Sequence, residues 1–133
     1  MRKHSVNRIQ KVAAHSRMEF ESHTIDRNLL ADEIREYLPT HEADILVRNF
    51  AITIDLFPRH CCGPASAHLR AQLGYGEIAD GWFGDNRHQF LDVGATAIAD
   101  VTIVDITADQ YKSRRDANIP KIYIGPLEHP YYC

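Results

Sequence analysis

Cysteine is scarce in this sequence of 133 residues, and long apolar runs are absent. The three cysteines form an odd set in which Cys61 and Cys62 are neighbours, which excludes a disulfide scaffold and predicts reduced thiols that are buried or reactive. No apolar run approaches the roughly 20 residues that span a bilayer, and the start lacks the apolar core of a signal peptide. We therefore expect a cytoplasmic protein that does not bind membranes.

A large excess of one charge is also missing. Eighteen acidic and fifteen basic side chains leave a net charge of −3, which argues against nucleic acid or an anionic membrane as the main partner. Hydrophobic residues make up 44% and charged residues 25%, as in ordinary globular domains. The length predicts a single domain over 1–133. Since the first seventeen residues carry five basic side chains and no acid, we interpret 1–20 as a loosely attached basic arm, with contact to an acidic partner as the alternative.

Hydrophobic periodicity and the positions of proline and glycine outline the secondary structure. Apolar residues recur every three or four positions in the first half of the chain, and β-branched residues alternate in the second half. The patterns predict helices over 24–38, 41–51 and 62–73, a loop with aromatic side chains over 74–86, and strands over 88–93, 101–107 and 119–124. Pro120 predicts an edge position for the last strand. This order is typical of an α+β fold in which helices come first and a small antiparallel sheet follows.

The helix that begins near Cys62 is a favourable place for a nucleophile. If Cys62 lies in the first turn, three later residues share its face: Ser66, Leu69 and Leu73. Unpaired N–H groups and the positive end of the helix dipole favour the thiolate there. If Cys61 starts the helix instead, the seventh position is His68 rather than a leucine, so we favour Cys62.

A thiolate of this kind needs a base, and His88 is the best candidate because it opens a predicted strand after a polar loop. The base needs an orienting group, and Asp105 is the one acid within an apolar strand pattern. A hairpin in which a four-residue loop joins Gly94 to Ala99 places His88 directly opposite Asp105. Side chains opposite each other lie about 5 Å apart, which suits an imidazole–carboxylate hydrogen bond.

Three segments of the chain resemble the papain-like and transglutaminase-like cysteine superfamily. They are Phe-Pro-Arg-His-Cys-Cys-Gly-Pro-Ala-Ser at 57–66, His-Gln-Phe-Leu-Asp-Val at 88–93, and Val-Asp-Ile-Thr-Ala-Asp-Gln-Tyr at 104–111. They are most similar to a group of small bacterial proteins with Cys-Cys-Gly, His-aromatic and Asp-Ile-Thr-Ala-Asp-Gln motifs. The chain departs from this group at Phe90, where tryptophan is common, and at Pro64, where an acid is common.

The resemblance implies a helix-borne cysteine that packs on an antiparallel sheet. It assigns Cys62 as the nucleophile, His88 as the general base and then acid, and Asp105 as the orienting group. Members of the superfamily hydrolyse or deamidate amides or transfer acyl groups through a thioester. The implied substrate is a peptide, a protein or a small amide, and no metal or organic cofactor is expected.

Other readings of the same residues stay open at this point. Each member of the triad, taken alone, also fits a structural role: a buried cysteine, a strand histidine, or an aspartate that caps a turn. The fold could also serve a catalytically inactive binding module. A third alternative is a metal site built from His60, Cys61, Cys62 and His68, although adjacent cysteines do not converge easily on one ion.

Overall fold

The computed structural model describes residues 3–83, 86–94, 102–109 and 120–126. Within these residues the chain forms four α-helices, one 3₁₀ turn and four strands, which confirms an α+β fold with helices first. The helices are α1 (Lys3–Glu21), α2 (Arg27–Tyr37), α3 (Thr40–Thr53) and α4 (Cys62–Leu73), the 3₁₀ turn is Ile54–Leu56, and the strands are β1 (Glu77–Phe83), β2 (Asn86–Asp92), β3 (Ile103–Asp105) and β4 (Tyr123–Gly125). In the part of the chain that the structure describes, no helix has the length and apolar character needed to cross a membrane.

The four described strands form one antiparallel sheet in the order β1-β2-β3-β4, so β4 lies at an edge as predicted. The prediction of a loop over 74–86 is wrong for 77–83, which form β1. This segment contains a glycine, Gly81, and no run of β-branched residues, so its local pattern is weak. Pairing along its whole length with β2, from Glu77 opposite Asp92 to Phe83 opposite Asn86, makes it a strand.

Helix α4 lies at the centre of the fold and contacts α1, α2 and the strand β2. Most of its residues are buried, including the apolar side chains of Ala65, Ala67, Leu69 and Leu73. The helix ends at Gly74, whose φ of 86° is the left-handed conformation that glycine adopts without strain.

The prediction of a loosely attached arm is wrong for the described part of residues 1–20. Helix α1 packs against α4 and β3, and its side chains Ile9, Ala13 and Phe20 are buried in the core. Arg8 and Lys11 are exposed, whereas Arg17 is buried on the same face as Ala13 and Phe20, so a count of basic residues could not reveal how much of the helix is buried.

A buried imidazole joins three of the helices. His68 on α4 is 1% exposed, and its Nδ1 lies 2.7 Å from Oε1 of Glu33 on α2, while its Nε2 lies 3.0 Å from Oε1 of Glu19 on α1. Burial alone would lower the pKa of His68, but the hydrogen bonds to Glu33 and Glu19 outweigh it and raise the pKa. Both ring nitrogens can donate only in the protonated ring, so the geometry favours an imidazolium.

We expect His68→Gln to destabilise the protein by about 3 kcal/mol near pH 6, because it leaves a buried carboxylate without its cation. Since the pKa is raised in the folded state, the stabilisation is fully present below the unfolded value of about 6.5 and is lost as pH rises through the folded value. Urea unfolding from pH 6 to 9 would measure this. The free energy of unfolding should fall less steeply in the variant than in the wild type. Equal slopes would show that His68 has the same pKa in the folded and unfolded protein.

Candidate catalytic site

Cys62 is the first residue of α4, as the sequence predicts, and its side chain is half-buried. The first hydrogen bond of the helix runs from the N–H of Ala65 to the carbonyl of Cys61 at 2.8 Å. The thiol of Cys62 therefore lies at the positive end of the helix dipole.

Cys61 is different from its neighbour in every respect that matters for reactivity. Its side chain is 1% exposed, and its thiol donates to the carbonyl of Thr53 at 3.3 Å. Burial, and to a smaller extent the nearby charge of Cys62, raises the pKa of Cys61 to about 12. Cys61 is thus held as a neutral thiol at physiological pH, and Cys62 is the cysteine of this pair that can act as a nucleophile.

His88 lies on β2 and is 2% exposed, with Nε2 2.6 Å from Oδ2 of Asp105. Burial alone would lower the pKa of His88, but the hydrogen bond to Asp105 and the interactions with Cys62 outweigh it and raise the pKa to about 9. The thiol of Cys62 therefore lies beside the ring. Because Nε2 donates to Asp105, Nδ1 is the nitrogen that can exchange a proton with the thiol.

Asp105 ends β3 and is 2% exposed. Its Oδ2 accepts from His88, and its Oδ1 accepts from the backbone N–H of Thr107 at 2.8 Å and from the Thr107 hydroxyl at 3.1 Å. A buried carboxylate is tolerable only with partners of this kind. Asp105 thus has both of the roles that the sequence offered as alternatives. It caps the following turn, and it is bonded to His88 as an orienting group would be.

The predicted hairpin register is wrong by two residues, yet the two side chains still meet. Leu91 pairs with Val104 and Asp92 with Ile103, and continuing this register sets Asp105 opposite Phe90 rather than His88. The N–H of Val93 bonds to the carbonyl of Thr102, which continues the observed register. A slip of two residues keeps each side chain on its original face, whereas a slip of one would have separated them. His88 and Asp105 are consequently diagonal neighbours.

An amide beside the first turn of α4 escaped the sequence reasoning. Gln89 is 8% exposed, and its Nε2 donates to Oε1 of Glu42 on α3 at 2.6 Å. A Cβ on Gly63 would lie only 2.6 Å from Oε1 of Gln89. The glycine that follows Cys62 therefore allows this amide to approach the helix closely, and that glycine was the available signal.

The metal site considered for His60, Cys61, Cys62 and His68 does not form. Both ring nitrogens of His68 are bonded to carboxylates, and the Cys61 thiol donates to a backbone carbonyl. Across the described ranges, no group of three or more His, Cys, Asp and Glu side chains is placed to hold a metal ion. The aromatic side chains of the predicted loop, Trp82 and Phe83, lie outside the described part, as do the tail residues Tyr131, Tyr132 and Cys133.

No protein-family model, curated protein or solved structure matches this chain. The superfamily resemblance therefore stays a prediction, and the positions of Cys62, His88 and Asp105 are the basis for assigning chemistry to the site.

We expect Gly63→Ala to destabilise the protein by about 1–3 kcal/mol, because the new methyl group displaces Gln89 from Glu42 and also lies 3.1 Å from Cδ1 of Leu46. Urea unfolding would measure the loss. In the Gln89→Ala background the same substitution should cost less, since the displaced group is gone. Equal costs in the two backgrounds would contradict a steric origin at Gln89.

Proposed function

We propose that this protein is a cysteine-dependent amide hydrolase or acyl transferase that acts through a thioester. Cys62 is the nucleophile, His88 is the general base and then the general acid, and Asp105 orients the imidazole. One observation carries the proposal: a buried imidazole is bonded at 2.6 Å to a buried carboxylate and lies beside an accessible thiol at a helix start. The substrate class is a peptide, a protein or a small amide.

The environment supports an ion pair between the thiol and the imidazole. A pKa of about 9 for His88 means that the ring holds a proton at neutral pH. The proton that the ring takes up is the one that the Cys62 thiol gives up: the neutral imidazole accepts it, and an imidazolium faces a thiolate at a helix N-terminus. Asp105 stabilises the positive charge that results, because its carboxylate accepts a hydrogen bond from Nε2–H in a buried site.

In the first half of the reaction the Cys62 thiolate attacks the amide carbonyl carbon and a C–S bond forms. The carbonyl π electrons move to oxygen, and the Cys62 backbone N–H is positioned by the helix start to donate to this oxyanion. When the tetrahedral intermediate collapses, the C–N bond breaks. His88 gives its proton to the leaving amine, and a thioester remains on Cys62.

In the second half the neutral His88 removes a proton from the incoming nucleophile. Water then attacks the thioester carbonyl carbon and yields an acid, or an amine attacks and yields a new amide. The C–S bond breaks, Cys62 leaves as a thiolate, and His88 is again an imidazolium. Each cycle consumes one water or one amine and regenerates the enzyme.

Brief iodoacetamide treatment at about pH 6, followed by intact-protein mass spectrometry and peptide mapping, tests the ion pair. An ordinary thiol with a pKa near 8.5 is less than about 1% ionised at this pH, so it reacts slowly. We expect selective labelling of Cys62 in the wild type and about tenfold slower labelling in His88→Ala. Asp105→Asn should also slow the reaction because it removes the charge that holds the imidazolium.

The neighbouring cysteine supplies the matched control. Cys61→Ala should leave the labelling rate of Cys62 unchanged, because the Cys61 thiol is buried and bonded to Thr53. Slow labelling of Cys62 in the wild type that His88→Ala does not alter would overturn the proposal. The protein would then be better described as a binding module that keeps the fold.

The titration of His88 can be followed directly by NMR of the imidazole C–H signals. We expect a midpoint near pH 9 in the wild type and a much lower midpoint in Asp105→Asn, where burial opposes the charge. Since the folded value lies above the unfolded value of about 6.5, protonated His88 stabilises the fold fully below pH 6.5 and loses this effect as pH rises through about 9. A midpoint near 6.5 in both proteins would show that Asp105 does not hold the charge.

A further inference from the structure

A buried guanidinium lies close to the site but takes no part in the chemistry described above. Arg17 on α1 is 4% exposed. Its two terminal nitrogens bind the carboxylate of Asp109 in a fork, with Nη1 2.7 Å from Oδ1 and Nη2 3.1 Å from Oδ2. An arginine is buried to this extent only when its donors find partners, and forked pairs with carboxylates are the most directional of these.

One side of the guanidinium holds the turn that follows Asp105. Nη1 of Arg17 donates to the carbonyl of Ile106 at 2.9 Å, and Asp109 lies at the end of the same turn. Inside the turn, the backbone N–H and the hydroxyl of Thr107 both donate to the carboxylate of Asp105. The turn is therefore bonded at both its start and its end, and the carbonyl of Ile106, the residue after Asp105, is tied to α1.

The other side of the guanidinium faces the segment that leads to Cys62. The Arg17 guanidinium carbon lies 4.7 Å from the ring centroid of Phe57, a distance that favours a cation–π interaction. Phe57 stacks on Phe20 with centroids 5.0 Å apart and begins the segment that ends at Cys62. Nη1 also lies 3.3 Å from the carbonyl of Lys121, just before β4.

We propose that Arg17 is a positioning residue for the site, because this one side chain ties the segment before the nucleophile to the turn after the orienting carboxylate. The inference rests on the proposed function of Cys62, His88 and Asp105. Arg17 acts through Asp109, Ile106 and Phe57 and keeps the Asp105 carboxylate aimed at His88. Small displacements of groups that orient a reactive centre cost large factors in rate.

The proposal predicts a pattern among three variants. Arg17→Met should slow the labelling of Cys62 at pH 6 about tenfold and should lower the NMR titration midpoint of His88. Arg17→Lys should label faster than Arg17→Met because lysine keeps the positive charge. It should label more slowly than the wild type because lysine cannot make the forked pair with Asp109. Asp109→Asn should slow the labelling in the same way. The double variant Arg17→Met/Asp109→Asn should be no slower than the slower single variant, since both act through one pair.

A matched control separates positioning from a general loss of stability. Glu33→Gln disrupts a different buried ion pair, the one between Glu33 on α2 and His68 on α4. This pair is not part of the turn after Asp105. The substitution should lower the melting temperature and leave the labelling rate and the His88 midpoint unchanged. If Arg17→Met does not fold, Arg17→Lys and Asp109→Asn carry the same comparison.

The outcomes distinguish this inference from the proposed function. Fast labelling in the wild type, slow labelling in His88→Ala and wild-type rates in folded Arg17 and Asp109 variants would overturn the positioning role alone. Parallel slowing in Glu33→Gln would also overturn it, since any loss of stability would then suffice. Slow labelling of the wild type would overturn the function and this inference together.

Discussion

The buried carboxylate of Asp105 imposes the requirement that organises this protein around its candidate site. A charge removed from water needs donors on both oxygens, and here His88 serves one oxygen while Thr107 serves the other. The donors come from two places in the chain, the strand β2 and the turn after β3. The hydrogen bonds of this one carboxylate therefore connect β3 both to β2 and to the turn that follows β3.

Among the residues that the structure describes, two buried histidines contact carboxylates, and they are suited to different tasks. His68 has a carboxylate on each nitrogen, so its protonated ring has every donor occupied and acts as a clamp among α1, α2 and α4. His88 has a carboxylate on one nitrogen and lies beside the Cys62 thiol. Since proton transfer needs a ring nitrogen that faces a reacting group, the second arrangement suits catalysis and the first suits stability.

Ion pairs and charged hydrogen bonds connect segments that lie far apart in the sequence. The segment from Asp105 to Asp109 contains two acids, and each has a distinct partner: Asp105 bonds to His88, and Asp109 bonds to Arg17. The basic residues of the first helix appeared in the sequence as a solvated arm. One of them, Arg17, is instead among the most buried charged groups described. Composition could not reveal this, because the pairing partner lies 92 residues away.

Local pattern was sufficient for the helix that begins at Cys62 and ends at Gly74, because a helix start, a buried stripe and a left-handed glycine are all short-range features. It was also sufficient for the faces of the two central strands, since side chains alternate with a period of two whatever the register. That alternation is why His88 and Asp105 could be paired correctly from a register that was wrong by two residues.

Long-range contacts decided the rest. The strand β1 exists because it pairs with β2 along its whole length, although its own residues favour a strand only weakly. The helix pattern favours Cys62 over Cys61 as the first helical residue, but their environments depend on tertiary packing: the Cys61 thiol is buried against the carbonyl of Thr53, and the Cys62 thiol lies beside the imidazole. Short-range chemistry thus determined which groups could react, and tertiary packing determined which of them are buried, paired or accessible.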